Sequence, residues 1–314
     1  MNTQHNCLKT EYRATDYIKG VNSPLKLSGT SVNDWTPFFH FKEQQRIDFE
    51  TDDCVIFSAQ EITDAEIDYL ISVGKIPQAT IDYFTSAGFM DSNSDDGKPH
   101  FHSSPRFWSV LTGNGQNGNN LYDPWDVARK YGAIPWSDLP FDLTITTPEQ
   151  YFAPIPQALL DKGALFLANV GGKNWITYHW ISNNNATMPF AQIDLDRYAT
   201  PLHIGINVGT DWNAVQPPIP PVGQPAGHSV TNIDNSEVGE VIYDHYIPFV
   251  KTLANGYPIP QVMQAVVTIS PIPAVPTLPP TPTPVQESNW LTQLVAWLNN
   301  LFPSLAGLVK KAKK

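Results

Sequence analysis

The chain carries a proline-rich run near its C-terminus, SPIPAVPTLPPTPTPVQES at residues 270–288. Proline has no backbone N–H and a fixed φ, so such a run can neither pair in a β-sheet nor continue a helix. It predicts an extended polyproline-type linker. The linker separates residues 1–269 from a C-terminal segment, residues 289–314.

Upstream of the linker, helical patterns come before strand patterns. A helical pattern begins at Cys54, and a capping signature at residues 63–66, TDAE, predicts a second helix that ends near Gly74. Residues 88–120 are predicted to be a long loop region. The sequence DPWDVARKYG at residues 123–132 predicts a short helix, with Asp at its start and Gly at its end.

Five short segments after residue 160 are typical of strands, because they are short and bounded by Gly, Pro or Asn. They are ALFLANV (164–170), LHIGINV (202–208), HSVTNI (228–233), GEVIYD (239–244) and QAVVTI (264–269). Helices followed by strands predict an α+β domain over residues 41–269, with two halves that face each other across a cleft. Residues 1–40 are polar and are predicted to form an irregular arm on this domain.

Charge and cysteine content restrict the function. The formal net charge of −11 argues against nucleic-acid binding, because proteins that bind nucleic acids usually carry a basic face. Two cysteines cannot build a disulfide framework. The polar N-terminus predicts no Sec signal peptide.

Cys54 is a candidate nucleophile, because it lies at the predicted start of a helix. A helix N-terminus and a neighbouring imidazolium lower the pKa of a thiol, whereas carboxylates such as those of Asp52 and Asp53 raise it. The alternative is a buried cysteine that packs as a small, inert apolar side chain. A nucleophile also needs a base and a third group that orients the base.

His228 has the most distinctive surroundings of the eight histidines. It follows a Pro-Ala-Gly turn and begins an apolar strand pattern, so a strand could aim its ring into a cleft. Asp244 lies sixteen residues further, and an antiparallel return would bring its carboxylate beside His228. There it would orient the imidazole. Asn235 competes for this role but lies in a predicted turn; the alternatives are an ordinary strand-edge histidine and a surface aspartate.

Two further groups of residues bear on the chemistry. An oxyanion needs two donors, and the candidates are the backbone N–H of Cys54 and a side-chain amide just upstream. Gln44 and Gln45 both qualify, and Gln45 is preferred. His100 and His102, in HFH, could bind a metal ion, but no third ligand follows nearby. No metal or cofactor is therefore predicted.

The order Gln45, Cys54, His228 and Asp244 resembles that of the papain-like cysteine peptidases. A closer resemblance is to papain-like peptidases of bacteriophages and small-genome bacteria. It is carried by DCVIFSA, SPRFWSVLTGNGQNGNNLYDPWDVARKYGAIPWSDLPF and YDHYIPFVKTLANGYPI, and it covers about residues 40–269. The resemblance implies a papain-like α+β fold, with an N-terminal helical half, a C-terminal antiparallel β half and the active site between them.

The resemblance also implies a protein or peptide substrate and a role for each residue. Cys54 attacks the peptide carbonyl, His228 pairs with the thiolate and protonates the leaving amine, and Asp244 orients His228. Gln45 and the Cys54 N–H bind the oxyanion.

The sequence departs from the papain pattern in several places. The Cys-Gly-Ser-Cys-Trp signature is absent, Val55 follows Cys54, and an Asp replaces the more familiar Asn. Two alternatives therefore stay open. One is a catalytically silent papain-like structural or interaction protein of a virion or surface assembly. The other is a cell-wall peptidase of the NlpC type.

The C-terminal segment, residues 289–314, has apolar residues at helical spacing and a lysine-rich end. Polar residues interrupt it, which argues against a bilayer span. It predicts an amphipathic helix that docks on a partner protein, lies on a membrane surface or packs on its own domain. The proline spacer favours the first two. Localisation is left open between a virion and a cytoplasmic site with peripheral membrane contact.

Overall fold

The computed structural model describes most of the chain up to residue 270. The described residues are Cys7, Leu8, Arg13, 34–182, 188–189, 200–209, Trp212, 218–220 and 227–270. The chain divides into two units, Met1–Ile272 and Pro273–Lys314. The second unit, which contains the predicted C-terminal helix and almost all of the predicted linker, lies outside the described residues, as does most of the predicted arm.

Helices dominate the first half of the described chain. They are α1 (Cys54–Ser72), α2 (Gln78–Ala87), α3 (Pro105–Thr112), α4 (Asp123–Tyr131), α5 (Pro148–Tyr151) and α6 (Gln157–Val170), with short 3-10 helices at Thr36–Phe38, Gly115–Asn117, Trp136–Asp138 and Gly172–Asn174. The predicted helix at residues 123–132 is confirmed as α4, which ends at Gly132. Its N-cap is Tyr122, and Asp123 is the first helical residue.

The prediction of a separate helix that starts at the TDAE sequence is wrong, because α1 runs without a break from Cys54 to Ser72. A capping box requires its first residue to leave helical geometry. Thr63 instead stays inside the helix, and its Oγ1 donates to the carbonyl of Ala59 at 2.9 Å. Since every residue from 54 to 68 is buried, packing on all sides holds the helix continuous.

Two other predictions of local structure are wrong. The predicted strand at residues 164–170 is the second half of α6, which ends at Gly171 in the left-handed region with φ 104°. Leu and Ala favour a helix, and the preceding turns of α6 supply the length that a single window misses. The predicted loop at residues 88–120 contains α3, which Ser104 caps by accepting the N–H of Phe107.

The second half of the described chain forms an antiparallel sheet. Its six strands lie in the order β3 (Ile176–Ser182), β10 (Gln261–Val267), β5 (Leu202–Asn207), β6 (Gly227–Ser236), β7 (Gly239–Tyr243) and β8 (Val250–Ala254). Four of these, β5, β6, β7 and β10, were predicted from the sequence. Two-stranded pairs are formed by β1 (Met90–Asp91) with β2 (His100–Phe101) and by β4 (Met188–Pro189) with β9 (Pro258–Ile259). The predicted α+β architecture is confirmed.

Residues 34–45 form a segment that touches both halves of the domain. The N–H of Trp35 donates to the carbonyl of Ile233 in β6, and the hydroxyl of Tyr243 donates to the carbonyl of Phe41. On the helical side, the N–H of Asp95 donates to the carbonyl of His40 at 3.0 Å. The segment therefore fixes the backbone that leads to Gln45 and Cys54. Among the described residues, no helix has the length and apolar character that crossing a membrane requires.

Candidate active site

The start of α1 is held by polar contacts around Cys54. Asp52 takes a left-handed conformation, with φ 60°, and Asp53 is the N-cap residue. The Asp53 side chain does not cap the helix; its carboxylate accepts from the amide of Asn119 at 3.1 Å and from the hydroxyl of Ser109. Cys54 is the first residue of the helix and is fully buried.

The sulfur of Cys54 lies against strand β6. The backbone N–H of Ser229 donates to it, and the hydroxyl of Ser58 donates to the carbonyl of Ser229 at 3.0 Å. Ser229 directly follows His228 in the chain. The candidate nucleophile and the candidate base are therefore brought to the same place by the packing of α1 on β6.

The pKa of the Cys54 thiol differs from the expected lowered value. Burial raises it well above its ordinary value, and the negative charges of Glu50 and Asp244 add to the effect. The Ser229 N–H lowers it but does not compensate. In the described state Cys54 is therefore a neutral thiol, because desolvation outweighs the helix N-terminus.

His228 and Asp244 are in direct contact. His228 Nε2 lies 2.8 Å from Asp244 Oδ1, and both side chains are fully buried. His228 is in β6, and Asp244 directly follows β7, so the antiparallel β6–β7 hairpin produces the return expected from the sequence. Asn235, the competing residue, is exposed near the far end of β6, opposite Glu240.

Asp244 has two further side-chain partners that the sequence did not indicate. Its Oδ2 accepts from the indole N–H of Trp212 and from the Lys251 ammonium, each at 2.7 Å. Burial alone would raise the pKa of Asp244, but the charges and hydrogen bonds of His228 and Lys251 lower it below its usual value. Asp244 is therefore a carboxylate, and the His228 nitrogen facing it must carry a proton.

Gln45 is buried, whereas Gln44 is exposed. The Gln45 amide Nε2 donates to Glu50 Oε1 at 2.9 Å and to the hydroxyl of Tyr246 at 2.8 Å. The Tyr246 hydroxyl in turn donates to Glu50 Oε2 at 2.6 Å. The amide that was expected to bind an oxyanion is thus already engaged by a carboxylate and a phenol.

The four residues missed by sequence reasoning differ in the signal they carry. Glu50 lies four residues before Cys54, and Tyr246 lies two residues after Asp244. Their closeness to predicted site residues was a usable signal. Trp212 has no local motif, whereas Lys251 lies seven residues after Asp244 within YDHYIPFVKTLANGYPI, so this closeness was also a usable signal.

Cys7 and Leu8 of the predicted arm lie between the two halves, next to the site. The N–H of Cys7 donates to the carbonyl of Gly227, and the N–H of Leu8 donates to the carbonyl of Asn119, each at 3.0 Å. Gly227 directly precedes His228, and Asn119 contacts the N-cap of α1. Burial raises the pKa of the Cys7 thiol to about 12, in keeping with this enclosed position.

His100 and His102 do not act as a pair. His102 Nδ1 lies 2.9 Å from Asp91, and its ring stacks between Phe41 and Trp136. His100 instead lies beside Asp96 and His40. The expectation that no third ligand would be close to His100 is therefore wrong, because His40 comes from a distant part of the chain.

The structure is similar to those of two cysteine proteases. Xylellain, a cysteine protease from Xylella fastidiosa, matches with a TM-score of 0.52 at 13% identity, over 86% of this chain and 97% of that chain. The procathepsin B S9 from Trypanosoma congolense matches with a TM-score of 0.50 at 11% identity, over 86% of this chain and 88% of that chain. No family model matches the sequence, and no curated protein matches it significantly. On the structural evidence, the chain has the fold of the papain-like cysteine proteases.

Proposed function

We propose that the chain is a cysteine peptidase that hydrolyses peptide bonds in a protein or peptide substrate. The observation that carries the proposal is the buried contact between His228 and Asp244, because His228 directly precedes Ser229, whose N–H donates to the sulfur of Cys54. A carboxylate, an imidazole and a thiol in this order are the groups that nucleophilic catalysis by cysteine requires.

In this mechanism Asp244 accepts the N–H of His228 Nε2, so the neutral imidazole carries its lone pair on Nδ1. That nitrogen takes the proton of Cys54, and the thiolate attacks the carbonyl carbon of the substrate. The N–H of Cys54, which has no partner within its own helix, and the amide of Gln45 would stabilise the oxyanion. His228 then protonates the leaving amine, and a water molecule that His228 deprotonates hydrolyses the thioester.

Two features of the described state oppose turnover. The Cys54 thiol is neutral, and Glu50 engages the Gln45 amide. The mechanism therefore requires a substrate carbonyl to replace Glu50 at Gln45. It also requires the thiolate to form together with the imidazolium, since an ion pair is tolerated in a buried site where a single charge is not.

The test is hydrolysis of an unfolded protein substrate, combined with the rate of Cys54 alkylation by iodoacetamide between pH 4 and 9. We expect hydrolysis by the wild type, none by Cys54→Ala and full hydrolysis by the control Cys7→Ser. A Cys54 alkylation rate that is already high at pH 5–6 and is lost in His228→Ala would support the thiolate–imidazolium pair. Equal hydrolysis by Cys54→Ala and wild type would exclude the mechanism.

The second candidate is a catalytically silent structural or interaction protein. It is favoured by the position of Cys7 and Leu8 between the halves and by the raised pKa of Cys54. In that case Cys54 reacts only as the pH approaches the ordinary thiol pKa of about 8.5, or not at all. Digestion of peptidoglycan would test the remaining alternative, a cell-wall peptidase.

We further infer, from the sequence alone, that residues 289–314 attach the domain to a partner protein or to a membrane surface. The spacing of apolar residues and the lysine-rich end support this. Failure of the full chain to float with anionic vesicles would remove the membrane alternative. The bacteriophage association is likewise inferred from sequence resemblance, and absence of the chain from purified virions would contradict it.

A further inference from the structure

Three separate parts of the chain bring metal-ligating side chains together at the end of α1 away from Cys54. His40 follows the 3-10 helix Thr36–Phe38, Asp96 lies in the turn between β1 and β2, and His100 is the first residue of β2. One nitrogen from each histidine and one carboxylate oxygen lie within 4.8 Å of one another. Among the described residues this is the one group of three such side chains at that spacing.

The spacing suits a single small ion. In a tetrahedral site with bonds of about 2.0–2.1 Å, neighbouring ligand atoms are roughly 3.3 Å apart. His100 Nε2 lies 3.0 Å from Asp96 Oδ1, and the stacked rings of His40 and His100 have centroids 3.3 Å apart. The three ligand atoms lie within 4.8 Å of one another, so side-chain rotations that also turn the two stacked rings apart would bring them to bonding distance of one ion.

A buried carboxylate completes the arrangement. Asp68 Oδ2 lies 3.3 Å from His100 Nδ1, which is the ring nitrogen that does not face Asp96. Asp68 Oδ1 accepts the N–H of Phe101 at 2.9 Å, and the Asp68 side chain is only 6% exposed. Metal-bound histidines characteristically donate their second N–H to such a carboxylate, which fixes the tautomer and the ring orientation.

Hydrogen bonds to carboxylates explain the position of the His100 ring but not that of the His40 ring. A protonated His100 would satisfy Asp68 and Asp96 without a metal ion. His40 Nε2, however, is 3.9 Å from Asp68 Oδ2, beyond hydrogen-bonding distance. His40 Nε2 thus makes no hydrogen bond with Asp68 and is left to offer its lone pair to an ion bound beside Asp96 and His100.

We propose that His40, Asp96 and His100 bind a divalent transition-metal ion of the zinc class, with Asp68 as the residue that orients His100. Two imidazoles and one carboxylate select zinc, cobalt or nickel over calcium and magnesium, which prefer oxygen ligands. The ligand side chains are 13%, 37% and 16% exposed, which leaves a side open for entry of the ion and for a water ligand.

The ion would have a structural role that is separate from the peptidase chemistry. Asp68 follows Cys54 by fourteen residues on α1, which is roughly 21 Å along a helix axis. The ion would join the segment 34–45 to the β1–β2 turn and, through Asp68, to α1. It would reinforce the single backbone hydrogen bond from Asp95 to His40.

The experiment is titration of the chelator-treated full chain with Co²⁺, followed by its visible absorption, and with Zn²⁺, followed by calorimetry. We expect one ion per chain, a spectrum without cobalt–thiolate bands and a rise in the unfolding temperature with zinc, since the ion binds the folded state. Asp96→Asn should weaken binding by about 10-fold or more, and Asp68→Asn by about 10–100-fold.

The matched control is Asp95→Asn, which changes the adjacent exposed carboxylate in the same turn. It removes the ion pair of Asp95 with Lys42 but no ligand atom. Because such an exposed pair contributes little, the affinity should be nearly unchanged. Asp95 and Asp96 are both exposed, so Asp95→Asn and Asp96→Asn should fold. The proposal is overturned if the wild type binds no Co²⁺ or Zn²⁺ at millimolar metal, if thiolate bands appear, or if Asp95→Asn and Asp96→Asn bind equally well.

Discussion

Asp244 has the most demanding position of any residue in the candidate site. Its fully buried carboxylate is stabilised by His228, Trp212, Lys251 and the backbone N–H of His245. Burying a carboxylate without such partners costs several kcal/mol. The ammonium of Lys251 therefore has a specific task, which is to supply a cation close to the pair formed with His228.

We predict that Lys251→Met lowers the free energy of unfolding by about 3–5 kcal/mol, because it leaves a buried charge with one partner fewer. The double variant Lys251→Met/Asp244→Asn should lose less than the sum of the two single variants. Urea unfolding at pH 7 measures all three.

Lys162→Met is the control, since the side chains of Lys162 and Asp138, paired at 2.7 Å, are 49% and 23% exposed. Such pairs contribute about 0–1 kcal/mol. Similar losses in Lys251→Met and Lys162→Met would contradict a special role for the buried cation.

At the scale of single residues, the sequence predicted site residues that a regular spacing connects, and it missed residues that only the folded chain brings to the site. His228 and Asp244 were paired from a sixteen-residue spacing, which the β6–β7 hairpin turns into a 2.8 Å contact. Lys251 lies only seven residues after Asp244 but was not singled out. Trp212 reaches the same carboxylate from 32 residues before it, so no spacing pointed to it. The metal ligand His40 was missed for the same reason, since sixty residues separate it from His100.

Helix α1 buries an unusual number of acidic side chains. Its inner turns contain four carboxylates, each at most 7% exposed, on Glu61, Asp64, Glu66 and Asp68. Burial raises the pKa of all four, to about 8 for Asp64 and Glu66. The helix packs against strands on one side and against other helices on another, so few positions remain exposed. Three of the four carboxylates accept backbone N–H groups, at distances of 2.7–2.9 Å.

We predict that Glu66 makes the stability of the protein depend on pH between about 4.3 and 8. In the folded state its pKa is about 8, above the ordinary value of about 4.3 in an unfolded chain. The stabilisation is therefore complete below pH 4.3 and is lost as the pH rises towards 8. Relative to Glu66→Gln, the wild type should lose up to about 1.4 kcal/mol per pH unit in this window.

Urea unfolding of the wild type and Glu66→Gln at pH 5, 6.5 and 8 measures this difference. The other buried acids contribute almost equally to the stability of both proteins, so their contributions largely cancel. Glu149→Gln is the control. Glu149 is exposed and its pKa is lowered, so it is ionised in both states above pH 5. A constant difference between wild type and Glu66→Gln across the three pH values would show that Glu66 is charged in the folded state.

The element scale also shows why the sequence predicted strands better than helix boundaries. Short β-branched runs between turns identified β5, β6, β7 and β10, because these strands carry their own signal. In α1 the acidic residues and the TDAE sequence indicated an exposed helix start, and only tertiary burial overrides that pattern. The wrong strand prediction at residues 164–170 has a different cause. A short apolar run is compatible with a strand or a helix, and the full length of α6 was not recognised.

At the scale of the whole molecule, the described residues of the N-terminal arm contact both halves of the domain. Arg13 forms an ion pair with Asp126 of α4 at 2.6 Å and donates to the hydroxyl of Tyr178 in β3 at 2.7 Å. Cys7 and Leu8 then bridge Gly227 and Asn119 beside the candidate site. If the chain is the peptidase proposed above, a segment in this position would stand in the way of an extended substrate at the candidate site.

We predict that Leu8→Pro increases the rate at which iodoacetamide alkylates Cys54, whereas Leu8→Ala changes it little. Proline lacks the N–H that Leu8 donates to Asn119, and it also restricts the preceding Cys7. Alanine keeps that hydrogen bond, so it serves as the matched control for loss of the side chain.

Peptide mass spectrometry at fixed pH reports the alkylation of Cys7 and of Cys54 separately. If the segment limits access, both thiols should react faster in Leu8→Pro; equal Cys54 rates in all three proteins would show that the packing of α1 on β6 alone encloses the thiol.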